Sequence, residues 1–391
     1  MKNFDIKNNC SLPFAGMQID TDGRISPCCM YKEDLDPGSK IYNIKEYREY
    51  WNIEAPRIQK PFLNGSFSPG CDTCFDKQNE ITSGLRYNAT LNFLLNHADF
   101  IQTNSPEWLD IRFGNYCNLK CIMCHGILSS QIYNEQHANY SKFEKIGIDI
   151  QEFKPLYWWD DPELLNQVLE LTKKARYISF SGGEPLLSKE LYTILDSVNP
   201  DCIIDINTNL TKLTDRHIEV FKTIKDVKIH ISLDGIGPHL EYVRYGSSWD
   251  IIETNIKKLL DVKNIEVIFA YLLQHTSVYS FPKFYEFIKD FDNEVILSTV
   301  YSGSVGGDEM MTINSVPEAD VEQFRLWCDK NLQHYRDNIY NWINMYKFNP
   351  VAHNKFKNYV NLLDELRGCN FQDTFNPSWK VKSSYHNINN C

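Results

Sequence analysis

The chain has 391 residues, 42% of them hydrophobic and 23% charged, the balance of a globular protein with real cores and length for two or three domains. Its formal net charge of −11 argues against broad nucleic-acid binding, since neutralising phosphates needs an excess of Lys and Arg. No apolar run reaches the roughly 18 residues of a membrane span, and Met1-Lys2-Asn3-Phe4-Asp5 lacks the layout of a signal peptide, so the expectation is a cytoplasmic protein with no membrane partner.

The N-terminal hundred residues carry a metal signal. Asp20-Thr21-Asp22-Gly23 reads as a hairpin turn between Met17-Gln18-Ile19 and Arg24-Ile25-Ser26. Such a hairpin would bring Cys10 and Cys28 together, and Cys71-x-x-Cys74 would close a four-thiol site. By spacing alone the site suits structural zinc as well as an iron–sulfur cluster, and Cys29 competes with Cys28. Twelve cysteines without a secretion signal fit metal binding better than a disulfide framework.

Trp108 to Phe113 is a short apolar-rich strand that runs into Cys117, Cys121 and Cys124. Three thiolates this close can hold three corners of a cubane and leave the fourth iron open to a ligand. Residues 126–156 hold helical and polar stretches that suit a lid, and Tyr157, Trp158 and Trp159 suit either a channel lining or packing between helix and sheet. Asp161-Pro162-Glu163 opens a helix, with Asp as cap and Pro at the first position. Strands are expected at 177–180, 202–206, 227–231, 266–272 and 295–300, and helices at 188–198, 214–224, 249–262 and 281–291. Six strands joined by helices predict an α/β fold, a partial (β/α)6 TIM-like barrel. Cys202, in a strand, reads as core. Two further helices, one after Pro317 and one carrying Phe356 to Leu366, form a C-terminal extension; Cys369 and Cys391 have no partner at metal spacing. The predicted domains are 1–100, 101–305 and 306–391.

Ligands collect at the C-terminal ends of parallel strands. There the sequence places the cysteine triplet, Ser181-Gly182-Gly183-Glu184-Pro185, Asn207-Thr208-Asn209 and Ser232-Leu233-Asp234-Gly235. The C-x3-C-x2-C spacing with the Gly-Gly-Glu-Pro turn resembles the radical S-adenosylmethionine (SAM) enzymes over about residues 105–304. The resemblance implies a 4Fe-4S cluster on Cys117, Cys121 and Cys124, with S-adenosylmethionine on its open iron. It implies that Gly182, Gly183 and Glu184 receive the methionine ammonium, that Asn207 and Thr208 lie near the ribose, and that Ser232 and Arg244 approach the methionine carboxylate. The residue before the third cysteine, usually aromatic in that family, is Met123 here, whose thioether can still pack on adenine.

The N-terminal cysteines resemble the auxiliary-cluster region called SPASM, or its one-cluster twitch form, although that unit normally follows the core and here precedes it. The resemblance implies an auxiliary 4Fe-4S cluster on Cys10, Cys28, Cys71 and Cys74, and the Gly23 spacing favours Cys28 over Cys29. It further implies an external flavodoxin- or ferredoxin-like electron donor and a peptide or protein side chain as substrate. The expected reaction is an oxidative modification or cross-link. The alternatives are dehydrogenation of a small alcohol or sugar-like molecule, a two-cluster electron-transfer protein without SAM chemistry, and a zinc-stabilised binding module.

Overall fold

The computed structural model describes residues 9–75, 89–90, 103–150, 152–291, 293–299 and 309–375. Its strands are β1 (Gly16–Ile19), β2 (Arg24–Ser26), β3 (Tyr42–Asn43), β4 (Trp108–Arg112), β5 (Lys120–Cys121), β6 (Tyr177–Ser181), β7 (Ile203–Thr208), β8 (Asp226–Ser232), β9 (Arg244–Tyr245), β10 (Ile265–Leu273) and β11 (Glu294–Thr299). Nine of them form one open sheet in the order β11-β10-β8-β7-β6-β4-β1-β2-β3. The six expected strands are β4, β6, β7, β8, β10 and β11, all parallel, each beside the next in sequence order.

The sheet is parallel because a helix crosses over between successive strands, and alternation decides which face those helices cover. On β4, β6 and β8 fully buried apolar residues alternate with half-buried ones. Leu109, Ile111, Ile178, Phe180, Ile204, Ile206, Val227, Ile229 and Ile231 are completely buried. The crossover helices supply apolar stripes for this face: Pro162–Thr172, Glu190–Leu195, Asp215–Thr223, Trp249–Leu260 and Ser277–Ile288. Asp161 caps its helix by accepting from Glu163 N and Leu164 N, and Thr214 caps the next but one by accepting from His217 N.

The N-terminal hairpin forms where expected, with Gly23 at φ +81°, but it does not stand apart as a separate layer. β1 pairs in parallel with β4, Gly16 beside Trp108 and Ile19 beside Ile111, so the hairpin extends the barrel sheet at its first strand. Both expected domain boundaries, near residues 100 and 305, lie outside the described residues.

C-terminal helices Glu318–Asn331, Arg336–Asn344 and Pro350–Arg367 follow the sheet; the middle one was not expected. Pro350–Arg367 clamps the cysteine loop. Tyr359 Oη donates to the Ile122 carbonyl at 2.9 Å, and Arg367 binds Glu135 through Nη2 at 2.7 Å and Nε at 3.2 Å. Lys120 Nζ reaches the same carboxylate at 3.0 Å. Burial opposes ionisation of Glu135, yet these cations hold its carboxyl below the ordinary range. Glu135→Leu strands the Arg367 guanidinium, whose side chain is 1% exposed, and is expected to lower unfolding free energy in urea by about 3–5 kcal/mol. No helix among the described residues is long and apolar enough to cross a membrane.

Candidate active site

Two short contacts build the site: the cysteine loop folds back on itself, and the β6 turn docks onto it. Asn115 Nδ2 donates to the Gly126 carbonyl at 2.8 Å, and Ser129 Oγ to the Leu119 carbonyl at 2.7 Å, which ties both ends of the loop. Gly183 N and Glu184 N then donate to the carbonyls of Gly114 and Tyr116. The glycines are what permit this approach. Gly182 has φ +102°, and a Cβ on Gly183 would lie 2.1 Å from the Tyr116 carbonyl oxygen.

A cavity of about 250 Å³ opens at this rim. Its walls include Cys117, Cys121, Cys124 and Met123, together with Gly182, Gly183, Glu184, Asn207, Thr208, Ser232 and Arg244. Every residue expected from the sequence for the first cluster and for S-adenosylmethionine thus faces one space.

The thiols of Cys117 and Cys121 are nearly buried and that of Cys124 partly so. Burial and the charge of Cys121 push the Cys117 thiol up to about 12, and burial with the other two cysteines raises Cys124 as well. Leu119 N–H and Asn209 Nδ2 donate toward Cys117 Sγ at 3.5 and 3.9 Å, while Arg244 Nη1 donates toward Cys121 Sγ at 3.8 Å. Three buried thiols that oppose one another's ionisation fit a cationic cluster, whose positive charge reverses that penalty. As they stand, no three His, Cys, Asp or Glu among the described residues form a closed metal-holding group.

Arg244 is no surface ion pair. β9 pairs with β5 so that Arg244 lies beside Cys121, and the guanidinium Nη2 sits 2.7 Å from Asp234 Oδ2 at the end of β8. Asp234 is fully buried and also accepts from Leu272 N at 2.8 Å. Arg244 Nε is buried without a hydrogen-bond partner among the described residues, which leaves a donor for a carboxylate.

Glu184 is 1% exposed and its carboxylate is largely committed. It accepts from Thr208 Oγ1 at 2.7 Å, Asn209 N at 2.6 Å and Leu186 N at 3.0 Å, so it staples the β6 turn to the end of β7. Thr208 is correspondingly turned toward Glu184, whereas Asn207 is exposed to the cavity. Sequence reasoning missed His125, Asn209 and Asp234 as site residues. The available signal for the last two was their place in the polar loops after β7 and β8. His125 had none beyond adjacency to Cys124.

At the second cysteine set, Cys10 lies in a small apolar cluster with Leu12, Phe14 and Phe62, against which Cys28 and Cys71 pack. Burial raises the Cys28 thiol, with Cys29, Cys10 and Cys71 adding to it; Cys71 is raised by burial, Cys10 and Cys74. The fold thus brings Cys28 and Cys71 against Cys10, with Cys74 close enough to Cys71 to raise it, although no three of them form a metal-holding group among the described residues. Cys29 is close to the same set: it raises Cys28, and its own thiol is raised by burial, Asp110 and Cys74 while Arg112 pulls it down. Trp158 is fully buried, tilted against Phe113 with Nε1 donating to the Arg112 carbonyl, so it packs between layers. Cys202 is core, as expected, and Cys369 Sγ donates to Asp364; Cys391 lies outside the described residues.

Residues 111–288 match the Radical SAM superfamily. A probable GTP 3',8-cyclase of Methanocaldococcus jannaschii is 26% identical over 187 residues, 46% of this chain and 55% of the relative. One of Methanococcus maripaludis is 27% identical over 148 residues, 37% of this chain and 43% of the relative. The chain spans about half the length of the curated relatives it matches. Among solved structures, Streptococcus suis SuiB bound to precursor peptide SuiA aligns with TM-score 0.39 and 14% identity over 86% of this chain and 71% of that one. Native anSMEcpe with bound AdoMet and Cp18Cys peptide aligns with TM-score 0.32 and 16% identity over 49% of this chain and 50% of that one.

Proposed function

We propose that this chain, an enzyme with a Radical SAM superfamily domain at residues 111–288, reductively cleaves S-adenosylmethionine and abstracts hydrogen from a substrate carbon. The observation that carries the reading is convergence: the cysteine triplet, the Gly-Gly-Glu turn, Asn207, Ser232 and Arg244 line one cavity at the strand ends.

In this reading Cys117, Cys121 and Cys124, which line the cavity together, would hold three irons of a 4Fe-4S cluster. When bound, that cluster supplies one electron to the sulfonium of S-adenosylmethionine, whose carbon–sulfur bond breaks to methionine and a 5'-deoxyadenosyl radical. The chain's own residues orient the cofactor and keep water out. The Gly182-Gly183-Glu184 turn offers acceptors to the methionine ammonium, which has donors only. Arg244 offers its unpartnered Nε–H to the methionine carboxylate, with Ser232 beside it. Asn207 offers amide groups to the ribose, and Met123 an apolar face to adenine. Electrons come from an external flavodoxin- or ferredoxin-like donor.

Cys10, Cys28, Cys71 and Cys74 hold an auxiliary 4Fe-4S cluster in a twitch-like unit. The packing of Cys28 and Cys71 against Cys10, with Cys74 beside Cys71, supports that ligand set, and the Gly23 spacing favours Cys28 over Cys29. Held there, such a cluster would supply an acceptor for the electron left on the substrate after hydrogen abstraction, which suits a net oxidation or cross-link with a peptide or protein side chain as the first substrate class.

The test is anaerobic reconstitution with iron and sulfide, reduction with dithionite and assay of 5'-deoxyadenosine. Wild type is expected to form it, and Cys121→Ala to form none above the no-enzyme control. Iron-loaded, reduced wild type that forms none overturns the reading. Iron near eight per chain supports two cubanes, and four supports one.

A further inference from the structure

The inner face of the sheet carries a polar row in register. Along paired strands Gln18 lies beside Asp110, Asp110 beside Ser179, Ser179 beside Asp205, Asp205 beside Lys228 and Lys228 beside Glu266. Parallel partners in register project to the same face, so these side chains form one band across six strands. The interior of a closed (β/α)8 barrel is instead filled by branched apolar residues. Farther along the same face, at the period of two, come Ser181, Asn207, Ser232 and Leu272, which line the cavity. Band and cavity lie on the same face, joined where Ser181 of the cavity lining donates to Asp110 of the band.

Charge on this wall is lopsided. Arg112 is held by Asp20 at 2.9 Å and Lys228 by Glu266 at 2.7 Å. Asp205 accepts from Tyr177 Oη at 2.5 Å and lies 3.2 Å from His230 Nε2. Asp110, midway along the band, makes no ion pair among the described residues; its hydrogen bond is from Ser181 Oγ at 3.4 Å. Burial pushes its carboxyl up to about 6 although Arg112 pulls the other way. Four carboxylates thus face two fixed cations, and both cations are already engaged.

We infer that the substrate lies along this band beneath the cavity and presents a protonated amine or guanidinium to Asp110. The inference rests on the radical reading above and adds the substrate's chemical class to it. A polyphosphate such as GTP is a poor occupant, because the wall is acidic and both cations described on it are already engaged. A free amine and a Lys or Arg side chain of a polypeptide share the required chemistry.

Deuterium transfer into 5'-deoxyadenosine tests this. Extract from cells grown in deuterated medium is split by cation and anion exchange, and each fraction by a size filter, then offered to the reduced holoenzyme beside deuterated GTP. Deuterium is expected from the cation-exchange fraction; the small-molecule filtrate signals a free amine, the retentate a polypeptide. Deuterium from GTP or from the anion-exchange or unretained fraction overturns the inference, as does 5'-deoxyadenosine that stays unlabelled in every arm; in each case its formation leaves the radical reading standing. No 5'-deoxyadenosine in any arm overturns both. Asp110→Asn is expected to cut transfer from the active fraction by about tenfold or more. Iron content and S-adenosylmethionine binding on the same sample report its folding. Transfer by a folded Asp110→Asn equal to wild type also overturns the assignment.

Discussion

Arg244→Met is expected to lower unfolding free energy by about 3–5 kcal/mol, read from the urea midpoint, because it leaves the Asp234 carboxylate buried and unpaired. Burial already raises the Asp234 carboxyl even with Arg244 opposite it. Without the guanidinium the folded state holds that proton to still higher pH, whereas the unfolded chain releases it near 3.9. Stability of the variant therefore rises as pH falls toward that value, and its deficit against wild type is largest at neutral pH and shrinks in acid. Arg244→Met with Asp234→Asn is expected to regain most of the loss, since the amide oxygen still accepts from Leu272 N. Binding of S-adenosylmethionine is the separate readout. Both variants are expected to bind it about 10–100-fold more weakly, as a charged donor to its carboxylate is gone. A double variant that is stable and binds the cofactor like wild type would remove Arg244 from the site.

Glu184 gives the second large effect, and the two obvious substitutions separate its roles. Glu184→Ala leaves the Asn209 and Leu186 N–H groups and the Thr208 hydroxyl without their acceptor in a fully buried place. At roughly 1–3 kcal/mol for each unsatisfied group, the expected loss is about 3 kcal/mol or more in thermal or urea unfolding. Glu184→Gln keeps the shape but must aim its NH2 at a donor whichever way it turns: at Asn209 N–H in one orientation, at Leu186 N–H in the other. Its expected cost is one clash, about 1–3 kcal/mol. Reduced 5'-deoxyadenosine formation should accompany both variants, because the staple sets the distance between the Gly182-Gly183 turn and Asn207. Equal stability of Gln and wild type would show that the hydrogen bonds around this carboxylate carry no weight.

Much of this was legible because short-range chemistry specifies it. Alternation at 108–112, 177–181 and 226–232 announces strands whose two faces differ, and Asp161-Pro162 and Thr214 announce helix starts. The loops after β4, β6, β7 and β8 fall at strand C-terminal ends by connectivity alone, which is why their cysteines, glycines and Arg244 could be gathered into one site on paper. What stayed hidden depends on partners far away in sequence. Asp234 faces Arg244 only because β9 lies against β5. Arg367 and Tyr359 reach the cysteine loop across more than two hundred residues, and no local pattern marks them. The glycines at 182 and 183 read as a turn, but the reason for them is the backbone of residues 113–116 pressed against them: Gly114 and Phe113 at Gly182, and the Tyr116 carbonyl at Gly183.

The amino-acid sequence by itself determined the α/β class, the order of the six parallel strands and which residues line the cavity at their ends, because each rests on a period, a cap or a spacing within a few dozen residues. Tertiary structure alone decided that the N-terminal hairpin joins the barrel sheet, that Glu184 is a staple and Arg244 a buried pair, and that the inner face forms one acidic band. These depend on register between strands, which places side chains from distant segments within hydrogen-bond reach or in a common row, and register is set by packing that no single segment encodes.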